Sequence, residues 1–406
     1  MSAILRKSKN GVKIVRYDIC KKGSIAILAF IILVLMITSS AEASDNSSSS
    51  KVIFAYWPYW IDLQSYQPDW DLLNYVSYFS IEVNLNGTLN TNNIGTNYYS
   101  IRDIAHARNV RVTLVIESFD QDVQDSILVN KQKELAMAIA QKIKYYGADG
   151  ISIDFENLRT TNSITNEPNS ILMEEFIRTL YGIIKGISPD YHISYAVHHT
   201  VDDAYQNANL SQYIDALFLM GYDYHWSNGN TTGAVSPFED KTQQDIEDSV
   251  KILERYYPTN KIILGLPFYG YEWPSSSDEP GARVIGEGRA VYLKNATYSS
   301  KIYGRIWDSS SNTPWFRYQK NGMWYQTWYD DDESLGLKID YGYSENLGGI
   351  GFWALGYEGN NATIWNTIKK KSESWSRIRE SPGFDVLVFL TGIFLVLFAK
   401  KKQEHG

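Results

Sequence analysis

A chain of 406 residues has room for one large domain or two ordinary ones, and an apolar content of 44% suffices for a sizeable core. Its 46 acidic residues outnumber its 38 basic ones, which argues against nucleic-acid binding, since that needs a basic face. One cysteine, Cys20, excludes a disulfide framework and a cysteine metal site.

The chain begins with Arg6, Lys7, Lys9, Lys13, Arg16, Lys21 and Lys22, then the apolar run SIAILAFIILVLMITSS, then AEA ending at Ala43. A basic, then apolar, then small-residue order is that of a secretory signal over residues 1–43. An uncleaved N-terminal anchor would share the first two features, but the short apolar run and Ala41 and Ala43 favour cleavage. DNSSSSK (Asp45–Lys51) reads as a solvated spacer, within a linker over 44–51. Sequons at Asn46, Asn86, Asn209, Asn230, Asn295 and Asn361 are candidates for glycan in a secreted chain.

Apolar runs then alternate with helical patterns. VIFAYW (Val52–Trp57) and NYVSYFSIEV (Asn74–Val83) predict strands, Tyr98–Arg108 a helix, and VRVTLVIES (Val110–Ser118) a third strand. KQKELAMAIAQKIKYY puts Leu135, Ile139 and Ile143 on one helical face and stops at Gly147. DGISIDFE follows as the fourth strand. ILMEEFIRTLYGIIKGI predicts a helix, and HISYAV (His192–Val197) and IDALFLMGY (Ile214–Tyr222) are strands. A helix over Thr242–Tyr256 precedes the strand KIILGLPF, and GGIGFWAL (Gly348–Leu355) is the last strand before a helix at Ala362–Lys371. The strands are continuously apolar, as parallel strands covered on both sides are. Eight of them with helices between predict an α/β fold, a (β/α)8 barrel over 52–380. A doubly wound open sheet is the alternative, weakened by the lack of a Gly-rich phosphate loop after the first strand. Residues 271–340 break the rhythm: WFRYQKNGMWYQTWY, with Asn321-Gly322 between aromatic runs, predicts a hairpin in a small β-rich insertion.

The fourth strand carries the chemistry. Side chains alternate along a strand, so Ser152, Asp154 and Glu156 share one face and Ile151, Ile153 and Phe155 the other. The polar face would point into the barrel, with Glu156 at the C-terminal strand end where barrel active sites are built. Two crowded carboxylates disfavour double ionisation, so Glu156 can hold a proton near neutrality and act as general acid, oriented by Asp154. A strand-end pair bound to backbone donors or a cation is the alternative from spacing alone.

DGISIDFE resembles the D-x-x-D-x-D-x-E signature of the family 18 glycoside hydrolases, the chitinase family: Asp149, Asp154 and Glu156 match, and Ser152 stands where the family has its second Asp. FLMGYDYHW (Phe218–Trp226) resembles the family's sixth-strand M-x-Y-D motif through Met220, Tyr222 and Asp223. KIILGLPFYGYEW resembles its seventh strand and GGIGFWALGYEG its eighth. These motifs span Val52 to Lys371, and their feel is closest to members of spore-cortex and cell-wall turnover. The resemblance implies hydrolysis of N-acetylglucosamine-containing glycans, with the substrate's own N-acetyl oxygen as nucleophile. Glu156 would be acid and then base, Asp154 would orient the acetamido N–H, and Tyr222 would bond its oxygen; Asp149 joins this catalytic set. Asp223, Trp353, Met220 and Ser152 would line the sugar site, with Trp353 as its floor. Tyr56 and Trp226, at strand ends, are further stacking candidates. Ser152 cannot hold charge, and VIESFD, with Glu117, replaces the family's S-x-G-G; both leave room for a weak or inactive sugar-binding relative, while the C-terminal tail described below leaves room for a structural surface protein.

No cofactor or metal is expected. His198 and His199 alternate faces, His225 stands apart, and DDDE (Asp330–Glu333) reads as an acidic turn. At the C-terminus, a 14-residue apolar run (Val386–Ala399) is short for a membrane span, and Lys400–Lys402 follow it. Pro382–Phe384 (PGF) before this run resembles an archaeal C-terminal sorting signal over 381–406. That implies an archaeosortase-type processing enzyme and attachment to the membrane by the tail or a lipid. Without residues 1–43 and 381–406, which hold ten of the basic and four of the acidic residues, 28 basic and 42 acidic remain, a net of −14. That suits a soluble, monomeric domain outside a cell.

Overall fold

The structure, a computed structural model, describes residues 51–380. The expected signal, most of the spacer and the sorting tail lie outside the described residues. Among the described residues no helix is long and apolar enough to cross a membrane.

Eight parallel strands form the centre: β1 (Val52–Pro58), β2 (Tyr75–Val83), β4 (Arg111–Ser118), β5 (Gly150–Phe155), β6 (His192–His198), β7 (Ala216–Met220), β8 (Ile262–Pro267) and β14 (Gly349–Trp353). A two-residue strand, β3 (Leu89–Asn90), hangs antiparallel on β2. Each barrel strand pairs with the next in chain order, and β14 pairs back to β1, with Val52 opposite Gly349. That last pairing closes the barrel and rules out the open sheet.

The helices are α1 (Thr96–Ala107), α2 (Gln121–Asn130), α3 (Gln132–Tyr146), α4 (Asn169–Ile187), α5 (Ile246–Leu253), α6 (Leu293–Tyr303), α7 (Asp332–Ser344) and α8 (Ala362–Glu380). In α3, Leu135, Ile139 and Ile143 are buried together, and Gly147 ends it in the left-handed conformation at φ 64°. Strand–helix alternation is less regular than the sequence predicts. The β1–β2 and β6–β7 connections contain only 3-10 turns, at Trp70–Leu72, Asp203–Tyr205 and Ala208–Gln212.

The barrel interior is packed with both rings and hydroxyls. Phe218 lies 4.8 Å from Tyr56 and 5.7 Å from Phe54, centroid to centroid. A Cβ on Gly265 or Gly351 would come within 2.3 Å of the Phe218 ring, so these two strands need glycine there. Thr113 donates to Ser77 Oγ at 2.9 Å, and Ser152 and Tyr56 hydroxyls meet at 3.1 Å. These four buried hydroxyls thus satisfy one another in pairs, as a low-dielectric interior favours.

Between β8 and α7 an antiparallel sheet of five strands is inserted: β9 (Tyr269–Ser275), β10 (Arg289–Tyr292), β11 (Ile306–Asp308), β12 (Thr313–Lys320) and β13 (Met323–Trp328). Asn321 and Gly322 join β12 to β13 with φ values of 53° and 77°, the twist a two-residue hairpin needs. The inserted sheet starts at Tyr269 and ends at Trp328, a narrower span than residues 271–340. Residues 332–344 form α7 instead.

Candidate active site

The cleft opens at the C-terminal ends of the barrel strands and has a volume of about 290 Å³. Strand β5 delivers its acids as alternation requires. Ile151, Ile153 and Phe155 face outward into the core, and Phe155 stacks on Phe176 of α4 at 6.0 Å. Asp154 faces inward and is 4% exposed, with Oδ1 lacking any hydrogen-bond partner.

Glu156 follows immediately and lines the cleft, half-buried. Its backbone is pinned twice: its N–H donates to Ser118 carbonyl at 3.1 Å, and its carbonyl accepts from Gln124 Nε2 at 2.7 Å. Gln124 also donates to the Ser118 carbonyl at 2.7 Å, so one buried amide on α2 ties the ends of β4 and β5 together. Burial, with the Asp223 and Glu117 carboxylates nearby, pushes the Glu156 carboxyl up to about 7. Burial, Glu156 and Glu117 hold Asp154 well above the usual carboxylate range.

Asp223 sits in the left-handed region at φ 63°, just past β7. The Tyr269 hydroxyl donates to it and Tyr271 bonds it as well, yet burial still raises its carboxyl to about 6. Tyr222, buried beside it, and Met220 both line the cleft. Trp353 forms the floor, 4.8 Å from the Phe79 ring and 5.5 Å from Tyr56. Its peptide bond to Ala354 is cis. Tyr271 of β9 and Tyr292 of β10 supply one wall, and Tyr292 stacks on Tyr357 at 4.1 Å. Phe119, 51% exposed, lines the cleft too and also borders a second, more polar hollow.

Of the ten residues the sequence assigns to the site, Glu156, Asp154, Tyr222, Asp223, Met220, Tyr56 and Trp353 meet around this cleft. Ser152 lies one step deeper, fully buried against Tyr56, and supports the site without lining it. Two placements are corrected. Asp149 is at the opposite, N-terminal end of β5, where its Oδ2 accepts from the Val112 N–H at 2.7 Å and meets His106 Nε2 at 2.8 Å. Seven residues of extended chain separate it from Glu156, roughly 20 Å at about 3.3 Å per residue. Trp226 is on a loop beyond β7, 49% exposed and outside the cleft lining. The sequence reading missed Tyr269, Tyr271, Phe79, Phe119, Tyr292 and Gln124. Asp120, which caps α2 by accepting from the Asp122 and Val123 N–H groups, is the signal that would have found the Gln124 helix.

Among the described residues no group of three or more His, Cys, Asp and Glu side chains is arranged to hold a metal ion. What the cleft does hold is one acid near neutrality, phenols, and an indole floor at the C-terminal mouth of a closed parallel barrel. That is the frame of a glycoside hydrolase. The model of the glycosyl hydrolases family 18 matches residues 52–358, and the chain belongs to that family.

Among curated relatives, the cortical fragment-lytic enzyme of Bacillus subtilis (strain 168) is 25% identical over 299 residues, 70% of this chain and 65% of that protein. The chain therefore matches just under two thirds of that enzyme's length. The di-N-acetylchitobiase of Homo sapiens is 26% identical over 300 residues, 66% of this chain and 74% of that protein. Among solved structures, the Bacillus cereus spore cortex-lytic enzyme superposes with a TM-score of 0.64 at 22% identity, over 79% of this chain and 74% of that one. A chitinase from Trichuris suis reaches 0.69 at 21% identity, over 80% and 99%. At these identities the two structures speak for the fold.

Proposed function

We propose that the protein hydrolyses β-1,4 linkages in N-acetylglucosamine-containing glycans, with the substrate's acetamido group as the nucleophile. Glu156, protonated up to about pH 7, donates its proton to the glycosidic oxygen as the bond to C1 breaks. The acetamido carbonyl oxygen attacks C1 and forms an oxazolinium ion. Asp154 accepts the acetamido N–H and balances the positive charge, while the Tyr222 hydroxyl donates to the acetamido oxygen. Trp353 carries the sugar ring on its face. Glu156, now a carboxylate, then takes a proton from water, which opens the ring with retained configuration. Family 18 enzymes of this kind depart from the two-carboxylate scheme of most glycosidases.

The observation that carries this reading is Glu156 itself, an acid near neutrality facing the cleft opposite Tyr222 and Trp353. Relatives named for cortical fragments and for di-N-acetylchitobiose support N-acetylated substrates. An intact acid in a lined cleft favours catalysis over the weak or inactive sugar-binding alternative. The sequence at both ends supports secretion and attachment at the cell surface, by the tail or by a lipid added after its processing. The test is mass analysis of products from a panel of N-acetylated oligosaccharides and wall fragments. Product from wild type and none from Glu156→Gln is expected; equal inertness of both on every glycan refutes the reading.

A further inference from the structure

We propose that Glu117 and Asp154 share one proton, and that Glu117 is the positioning residue that takes this proton when Asp154 must be an anion; its role in turnover rests on the glycosidase reading above. Glu117 on β4 and Asp154 on β5 are register partners on adjacent parallel strands. Their backbones are therefore about 4.8 Å apart with both side chains on one face. Both are buried, at 8% and 4% exposure. Ser80 Oγ donates to Glu117 Oε1 at 2.5 Å, which leaves Oε2 with no hydrogen-bond partner. Asp154 Oδ1 has none either. Ser152, next down the same face, has its hydroxyl engaged by Tyr56.

Two ionised carboxylates so placed would repel each other and leave both oxygens unsatisfied. A single proton removes both costs, because the protonated oxygen donates to the other carboxylate. The groups that face the pair are Tyr56 from β1, Ser80 and Glu82 from β2, Glu156 beyond β5, and Tyr222 after β7. Burial raises the Glu117 carboxyl, against the lowering effect of the Ser80 bond. Burial, then Glu156, then Glu117 raise Asp154.

In turnover the proton leaves Asp154 Oδ1 for Glu117 Oε2, and the negative charge moves the other way. The pair keeps one proton and one net charge throughout. Asp154 becomes an anion as the acetamido N–H arrives, with no free carboxylate added to the crowded cleft. Glu117 does this without touching substrate, since it lies behind the cleft lining.

The test has two arms, both on the full chain. The first is infrared difference spectroscopy at pH 7 in a Glu156→Gln background, which silences the general acid. A protonated-carboxyl band whose frequency moves on adding Glu117→Gln, because the hydrogen bond between the two carboxyls is lost, is expected. A band that Glu117→Gln leaves unmoved overturns the shared proton. The second arm is kinetic. Glu117→Gln should lower kcat at least tenfold with KM within twofold, and shift the basic limb of kcat/KM to lower pH, because one carboxylate that raises Glu156 is gone. Glu117→Asp should recover part of kcat. An unchanged kcat and pH profile in Glu117→Gln, with wild type active, overturns the role of Glu117 and leaves the glycosidase reading standing. Inert wild type overturns that reading and with it the part Glu117 plays in turnover, while the infrared arm still decides the shared proton.

Discussion

Strand β5 carries acids at its two ends, and they live under opposite conditions. At the lower end Asp149 Oδ2 accepts a backbone N–H and meets an imidazole, so hydrogen bonds hold it where it stands. At the upper end Asp154 is buried with an unpartnered oxygen, and Glu156 is held up to about 7. The same residue types on one strand thus do different work, and the difference is satisfaction. A carboxylate with all its partners fixes the chain; one deprived of them stays available to a substrate.

The largest expected effect sets the two ends against each other. Glu156→Gln should cost about 10²- to 10⁴-fold in kcat on an N-acetylated oligosaccharide. Asp149→Asn should leave kcat within twofold; a comparable loss there would break the contrast. Because Glu156 must carry its proton to act, wild-type kcat/KM should fall as pH rises through about 7.

Stability should divide the ends next. The folded Glu156 carboxyl lies above its ordinary 4.5, so its contribution is fully present below pH 4.5 and lost as pH rises through about 7. Glu156→Gln, which never ionises, should therefore be more stable than wild type at pH 8 by on the order of 3 kcal/mol in urea denaturation, with the gain gone at pH 4.5. A pH-independent difference would contradict it. A smaller effect, about tenfold in KM with little change in kcat, is expected of Trp353→Ala, from loss of the stacking face. The smallest is Asp149→Ala, which should cost about 1 kcal/mol of folding free energy at unaltered kcat, read from the same denaturation curves.

The barrel was legible because parallel strands and the helices of their crossovers write themselves into local periodicity. So was the acid, since alternation puts Asp154 and Glu156 on the inner face. Asp149 shows what motif matching alone loses. It has the parity of Ile151 and Ile153, so alternation would have set it apart from the inward-facing acids. Gln124 was hidden because α2 buries polar Gln124 and Asp125, which blurs its apolar stripe. Tyr269 and Tyr271 reach Asp223 across more than 40 positions, a distance no local period records. Trp226 follows the path of a loop, which strand ends do not dictate.

The insertion between β8 and α7 is more than scenery for the barrel. Tyr269 and Tyr271 at its first strand grip Asp223, and Asp223 in turn presses on the acidity of Glu156. A foreign loop grafted over residues 269–328 would therefore retune the working pH along with the choice of polymer, unless the graft brought those two phenols with it.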